Sequence, residues 1–167
     1  MLLSLLRLNT IRLERLVIRT RPSPAEVPDR EDYRIVVAHR ILPTLPERPG
    51  QWLQLHVRLV PDRSSGDSQS FDEVSVVVSG QFSFTEEATE EQKARMFPLN
   101  AVSVLFGIAR GIVAQATGMC PRGTFLLPPV NVVEAAKRKR LVAQCSLIAV
   151  SGDSGQSSLE IERGDSG

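Results

Sequence analysis

Apolar and polar residues alternate along much of the first half of the chain, with the two-residue period of half-buried β-strands. The alternation is clearest in the third segment, where leucine and valine alternate with Gln54, His56 and Arg58. In the first segment it changes phase near Glu14, which indicates a β-bulge. Because the links are short, we expect an antiparallel sheet. The four predicted strands are residues 11–19, 33–38, 52–60 and 73–84.

After the fourth strand the apolar period becomes that of a helix. Thr89 and Gln92 match a capping box and predict a short helix, which Pro98 is expected to end. A long apolar helix is predicted over residues 100–117, followed by a proline-rich loop and a last helix over residues 132–144. The predicted fold is α+β: a four-stranded antiparallel sheet, a short helix, a long helix, a proline-rich loop and a C-terminal helix.

A length of 167 residues fits one domain. We expect residues 1–144 to form it and residues 145–167, rich in Gly, Ser and Asp, to be a flexible tail. Cys120 and Cys145 match neither a disulfide framework nor a metal-ligand spacing, so we expect a reduced, cytoplasmic protein. The first eight residues lack the basic region and cleavage site of a signal peptide, and we expect no membrane-spanning segment.

The charge pattern predicts no overall attraction to nucleic acid, because 20 basic residues face 19 acidic ones and the net charge is +1. The basic run 137–140 is typical of a solvated helix end. Residues 152–155, Gly-Asp-Ser-Gly, match the nucleophile motif of trypsin-like proteases, and residues 163–166 match an integrin-binding tetrapeptide. Both lie in the expected tail, where nothing would hold a base near Ser154. We therefore expect no catalytic residues, no metal and no cofactor.

One stripe of the predicted long helix carries small residues. Each glycine inside a helix costs about 1 kcal/mol relative to alanine, so a glycine pair four residues apart suggests close approach of another element. A second copy of the chain is one candidate. A tight contact within the chain, or mild flexibility of the helix, is the alternative. The predicted oligomer interface consists of Ser103, Gly107, Arg110, Gly111 and Ala114.

Three motifs resemble those of the SecB family of export chaperones. Residues 105–110 read Leu-Phe-Gly-Ile-Ala-Arg, where the family tends to have Leu-Phe-Pro-Tyr-Ala-Arg. Residues 125–132 read Phe-Leu-Leu-Pro-Pro-Val-Asn-Val, where the family has Leu-x-Leu-x-Pro-Val-Asn-Phe, and residues 80–84 resemble the end of its fourth strand. The resemblance spans about residues 8–144. It implies a homotetramer, a dimer of dimers with long helices between sheets, that binds unfolded polypeptide without nucleotide.

The resemblance also implies a long apolar groove for client peptides, lined by the second strand, the fourth strand and the proline-rich loop. The alternative is that the last helix and the loop simply cover this face of the sheet. A slip of one residue in strand register would invert the strand assignments. The implied groove residues are Ile35, Val37, Val74, Val76, Val78, Phe125, Leu127 and Val130.

One departure concerns the translocase motor ATPase, on which the export chaperones dock through an acidic face of the sheet. The matching residues 16–20 and 73–75 keep only Glu73 as an acid, which argues against this docking. Similar solitary chaperones serve toxin–antitoxin pairs. We therefore expect an ATP-independent holdase for non-native proteins. The alternatives are an interaction module for one partner, such as an antitoxin, and an enzyme, for which no polar constellation argues.

Overall fold

The computed structural model describes residues 6–21, 30–47, 50–61, 71–120, 124–138 and 140–148. Five strands of this part form one antiparallel sheet in the order β1-β4-β3-β2-β5. The predicted α+β class and the four predicted strands are confirmed, and a fifth strand is added. The elements are β1 (Leu6–Thr20), β2 (Arg30–Leu42), β3 (Gln51–Pro61), β4 (Phe71–Phe84), α1 (Glu90–Gly118), α2 (Val132–Arg138) and β5 (Arg140–Ile148).

The predicted bulge near Glu14 is confirmed, since the pairing of β1 with β4 shifts register between Leu13 and Arg15. A bulge places one extra residue in β1 and reverses the side on which later residues lie. It therefore keeps Leu16 and Ile18 on the same face as Leu13, although their spacing in sequence is irregular. The arginines of β1 are directed to the opposite face.

The prediction that Pro98 separates two helices was wrong, because α1 continues through Pro98. The capping box at its start is confirmed: the Gln92 backbone N–H donates to Thr89 Oγ1 at 3.3 Å, and the Thr89 N–H donates to Gln92 Oε1 at 3.0 Å. Proline removes one helical hydrogen bond. Burial on both sides of it offsets that cost, since Phe97 packs edge-on against Phe82 and Ala101 is fully buried.

The last predicted helix is shorter than expected. It ends at Arg138 rather than residue 144, and β5 follows and pairs with β2. Val, Leu and Ile recur in residues 141–148, and pairing satisfies backbone groups that β2 would otherwise expose at the sheet edge. Residues 145–148, the start of the predicted tail, therefore belong to the sheet. Residues 149–167, with the protease-like and integrin-like motifs, lie outside the described residues.

The main core lies between one face of the sheet and a layer made by α1, α2 and residues 124–131, which we call the proline loop. Gly80 in β4 permits the close approach of α1. A Cβ at this position would lie 2.9 Å from Leu105 Cδ2 and 2.9 Å from Phe82 Cε2, closer than packed carbons tolerate. α1 therefore covers the face of the sheet that carries the buried β3 residues Leu53, Leu55, Val57 and Leu59.

The sequence predicts no membrane-spanning segment, yet α1 is long and apolar enough to cross a bilayer by length and composition alone. Such a match is weak support for a membrane span, because the core helix of a soluble protein has the same properties. Eight residues of α1 are buried, and its large apolar side chains belong to the core against the sheet. The opposite face of α1 is directed away from the sheet.

Candidate functional site

The predicted groove residues lie mostly in the hydrophobic core. All of them except Val130 are buried, and Val130 is half-buried and packs against the same core. The expectation of an open groove at these residues is not met in this structure, because α1, α2 and the proline loop cover them. The structure instead has the alternative arrangement, in which the last helix and the loop cover this face of the sheet. Contact of these residues with a client stays a prediction that requires the covering layer to move.

The proline loop is anchored by an aromatic side chain. The Phe125 ring packs edge-on against Tyr33, with ring centroids 5.8 Å apart, and against Phe71, at 5.4 Å. Leu127 is also buried, whereas Leu126 between them is 59% exposed. Residues 125–127 thus alternate inward and outward side chains in the manner of a strand, and Leu126 is available at the surface.

Two polar side chains of α1 hold the backbone of the proline loop. Thr117 Oγ1 accepts a hydrogen bond from the Phe125 N–H at 2.8 Å and donates to the Val113 carbonyl at 2.8 Å. Arg110 Nε donates to the Leu127 carbonyl at 2.9 Å. Arg110 was predicted as an interface residue on the basis of its position in the helix. The structure uses it to position the loop within one chain.

The outer stripe of α1 is free of close neighbours among the described residues. Ser103, Gly107 and Gly111 are exposed, Ala114 is half-buried, and a Cβ at either glycine would meet no heavy atom within 4 Å. The alternative of a tight contact within the chain therefore fails for the part of the chain that the structure describes. Over residues 100–119 the sole charged residue is Arg110. A solvent-facing helix surface of this length normally carries several charges.

Eight large apolar side chains are exposed among the described residues. Ile11 and Leu13 lie on β1 opposite Gly80 and Val78, hence on the sheet face that α1 covers. Periodicity did not identify these side chains as site residues, because it favours regular positions. Val104 lies in the middle of α1, and the other seven lie at or beyond the ends of elements, in the loop or on the edge strand β1. The exposed residues are Ile11, Leu13, Ile41, Leu45, Val104, Met119, Leu126 and Val133.

The opposite, outer face of the sheet is basic. Arg12 lies over the buried Trp52 ring, 5.0 Å from its centroid, and covers it. Beside it a depression of about 260 Å³ is lined by residues of β2 and β3, including Arg40 and His56. We call this surface the basic face. It carries the exposed arginines Arg12, Arg15, Arg19, Arg34, Arg40 and Arg58 and the carboxylates Glu14, Asp32 and Glu73.

No protein-family model and no curated protein sequence matches the chain. Among solved structures, the Mycobacterium tuberculosis Rv1957 SecB-like chaperone, in complex with a ChAD peptide from the Rv1956 HigA1 antitoxin, is similar with a TM-score of 0.54. The match has 15% sequence identity and covers 75% of this chain and 91% of that chain. This chain has a SecB-like fold. At this identity the likeness establishes the architecture.

The SecB-like fold expected from the three motifs is thus confirmed, and the motifs can be placed on it. Leu105 and Phe106 of the first motif are buried in α1, and Arg110 at its end holds the proline loop. Phe125 and Leu127 of the second motif are buried beneath the loop. The buried residues of the two motifs are therefore those that join the long helix to the loop, whereas Gly107 and Leu126 lie within the motifs and are exposed.

His56, half-buried on the outer face of the sheet, has a lowered pKa. Burial is the largest cause, followed by the positive charges of Arg58 and Arg15, while Glu73 acts in the opposite direction. The His56 ring Nε2 lies 2.9 Å from Ser75 Oγ. In the folded chain His56 therefore binds a proton less readily than in the unfolded chain, for which the ordinary pKa is 6.5.

This shift predicts a pH-dependent stability. Above about pH 6.5 the imidazole is neutral in both states. Below it, the unfolded state takes up the proton first, so the free energy of unfolding falls until the lowered native pKa is passed. His56→Gln is expected to flatten this fall, as measured by urea unfolding between pH 8 and pH 5. The value at pH 8 is the reference for each protein, and equal slopes in the two proteins would contradict the prediction.

Proposed function

We propose that this protein is an ATP-independent holdase that binds extended apolar segments of non-native polypeptides and keeps them from aggregating. The observation that carries the proposal is the apolar surface around the charge-free stripe of α1, with Leu126 and Val133 exposed beside the proline loop. Exposed apolar area of this kind marks a binding surface rather than a solvated one. The SecB-like fold supports the same function.

Client contacts are assigned to the exposed apolar side chains rather than to the core residues beneath them. Leu126 projects from the proline loop and Val133 lies in the first turn of α2, so both flank the same connection. Each apolar contact is weak, and a long client gains affinity by occupying several such surfaces on an oligomer. Holding of this kind requires no nucleotide, and we place it in the cytoplasm.

Assembly through the outer stripe of α1 is part of the proposal. Gly107 and Gly111 allow the backbone of a second helix to approach closely, and the missing charges remove the desolvation cost of burying that surface. A dimer formed there, and a tetramer built from two such dimers, would present the client surfaces several times. Docking on the translocase motor is not part of the proposal, because the outer face of the sheet is basic.

A second candidate is an interaction module for a single partner, such as an antitoxin. The solved complex of the Rv1957 SecB-like chaperone with a ChAD peptide from the Rv1956 HigA1 antitoxin favours this candidate. Both functions use an apolar surface and an extended peptide. They differ in the breadth of clients, which a direct assay separates.

The test is suppression of aggregation of two unrelated unfolded proteins by the purified chain, without nucleotide, followed by light scattering. We expect suppression of both near one tetramer per client. Leu126→Asp combined with Val133→Asp should remove most of it, because charge at these positions opposes apolar binding.

Leu45→Asp is the matched control. Leu45 is also exposed, but it lies past the C-terminal end of β2. Tyr33, which contacts Phe125, lies near the other end of β2, so Leu45 is roughly 30 Å from Phe125 by strand rise. It should retain full suppression. Suppression of neither protein would overturn the general holdase and favour the single-partner module. Equal loss in the control and the double variant would overturn the assignment of the surface.

A further inference from the structure

The basic face concentrates charge that the whole chain does not have. Its six exposed arginines face three carboxylates, an excess of three positive charges among described side chains, while the complete chain has a net charge of +1. The arginines lie on β1, β3 and β2, and β4 lies between β1 and β3, so the four strands form one continuous surface. By strand spacing and rise, this surface measures about 14 Å by 23 Å.

Most of these arginines are not neutralised within the chain. Glu73 pairs with Arg58, at 3.0 Å between Nε and Oε1, and lies 3.9 Å from Arg19. Arg40 donates to the neutral Gln54 side chain at 2.7 Å, and Arg12 lies on the Trp52 ring. Arg15 and Arg34 have no ion-pair partner among the described residues. Four guanidinium groups on one face therefore keep their capacity to bind carboxylates.

The remaining composition of the face suits a protein rather than a nucleic acid. Val36, Val60 and Val77 lie half-buried between the arginines, and arginine mixed with aliphatic surface is typical of protein interfaces. Trp52, the sole aromatic residue placed on this face, is buried beneath Arg12 and offers no platform for stacking a base. Glu73, beside Arg19 and Arg58 at one end of the face, would repel a continuous row of phosphates but leaves room for spaced carboxylates.

We propose that the basic face docks a partner protein through an acidic, extended segment with carboxylates at alternate positions. In such a segment, side chains on one face recur about every 7 Å. Arg12 and Arg15 have this spacing along β1, because they lie opposite Ser79 and Val77, two residues apart in β4. The site lies on the side of the sheet opposite to α1 and the proline loop, so it is separate from the proposed client surface. It would recruit this protein to a partner while clients remain bound elsewhere.

The contact is expected to be weak and salt-dependent. An area of this size is smaller than the roughly 800 Å² that each partner buries in a standard interface. Its energy comes from exposed charges, which salt screens over about 10 Å at 0.1 M ionic strength. The full chain should bind a fluorescein-labelled peptide of alternating Glu and Val in an anisotropy titration at low salt. A peptide of alternating Lys and Val should not bind.

The decisive variant is Arg15→Glu combined with Arg34→Glu, which should weaken binding of the Glu-Val peptide at least about tenfold. Arg95→Glu combined with Lys137→Glu makes the same change in net charge at exposed positions of α1 and α2, and should bind nearly as the parent does. If the first variant does not fold by circular dichroism, Arg15→Gln with Arg34→Gln provides the same comparison without charge reversal.

Each outcome decides the proposal. Loss in the face variant with retention in the matched variant supports it. Equal loss in both would show attraction to net charge alone and would overturn it. Binding of a polyuridylate oligonucleotide more tightly than the peptide, lost in the same variant, would overturn it in favour of nucleic acid. Aggregation suppression is measured in parallel, and its retention in the face variant distinguishes this site from the client surface.

Discussion

Phe125→Ala is expected to lower the free energy of unfolding by about 3–5 kcal/mol, the range for truncation of a buried phenylalanine. The ring fills the space between the proline loop and the sheet and makes edge-on contacts with Tyr33 and Phe71. Its loss leaves a cavity that the loop cannot collapse into, because Thr117 and Arg110 hold the loop backbone on both sides. Urea unfolding followed by circular dichroism measures the change.

Leu126→Ala is the matched control, since it removes a side chain of similar size from the next position, which is mostly exposed. It should change the free energy of unfolding by less than about 0.5 kcal/mol. Similar small effects for both variants would mean that the loop is not docked on the sheet in solution. The pair also separates stability from client binding, which is assigned to Leu126.

Gly111→Leu is expected to abolish assembly, raising the dissociation constant between protomers at least about 100-fold, or roughly 3 kcal/mol. A leucine side chain on the stripe would hold apart two helix backbones that glycine allows to touch. Within one chain the change is harmless, because a Cβ at this position meets nothing within 4 Å. Leucine also favours the helix over glycine by about 0.8–1 kcal/mol, so the separated protomer should be at least as stable.

Light scattering over a range of concentrations gives the mass of each species. Arg95→Leu, an exposed position in the early turns of α1, is the control and should keep the mass of the parent protein. A parent protein that is monomeric, or a Gly111→Leu variant with unchanged mass, would contradict the proposed interface. Urea unfolding of the variant at low concentration checks that the protomer itself remains folded.

The strands could be predicted from the sequence because their pattern is local. The regular alternation around His56 predicted β3, and the phase change at Glu14 predicted the bulge in β1. Pro98 was misinterpreted because its cost to a helix is local, while the compensation, burial of Phe97 and Ala101 against the sheet, is tertiary. The rule that proline ends a helix fails where packing holds both sides of it.

The fifth strand was missed for a related reason. Glu134 and Arg138 form an i,i+4 ion pair, with 3.0 Å between Arg138 Nη2 and Glu134 Oε1, and charges at this spacing are typical of a continuing helix. The reason for residues 140–148 to become a strand is the open edge of β2, which is distant in sequence. Pairing between segments about 100 residues apart leaves no local signal.

The candidate site shows the same limit. Periodicity predicted that Val74, Val76 and Val78 share a face, and they do, but it could not show that the chain itself covers that face. The stripe of small residues around Gly107 was predicted because it depends on one helix alone. The basic face could not be predicted, because only the strand order places Arg15 of β1 and Arg58 of β3 on the same surface.

The pairing of β5 with β2 also has a consequence for synthesis of the chain. β2 ends at Leu42 and β5 ends at Ile148, so a ribosome must add roughly 100 residues after β2 before its partner exists. At typical elongation rates of about 5–20 residues per second, this interval lasts about 5–20 s. During this interval the edge of β2 in the nascent chain is unpaired, so it would need protection while the chain is being made.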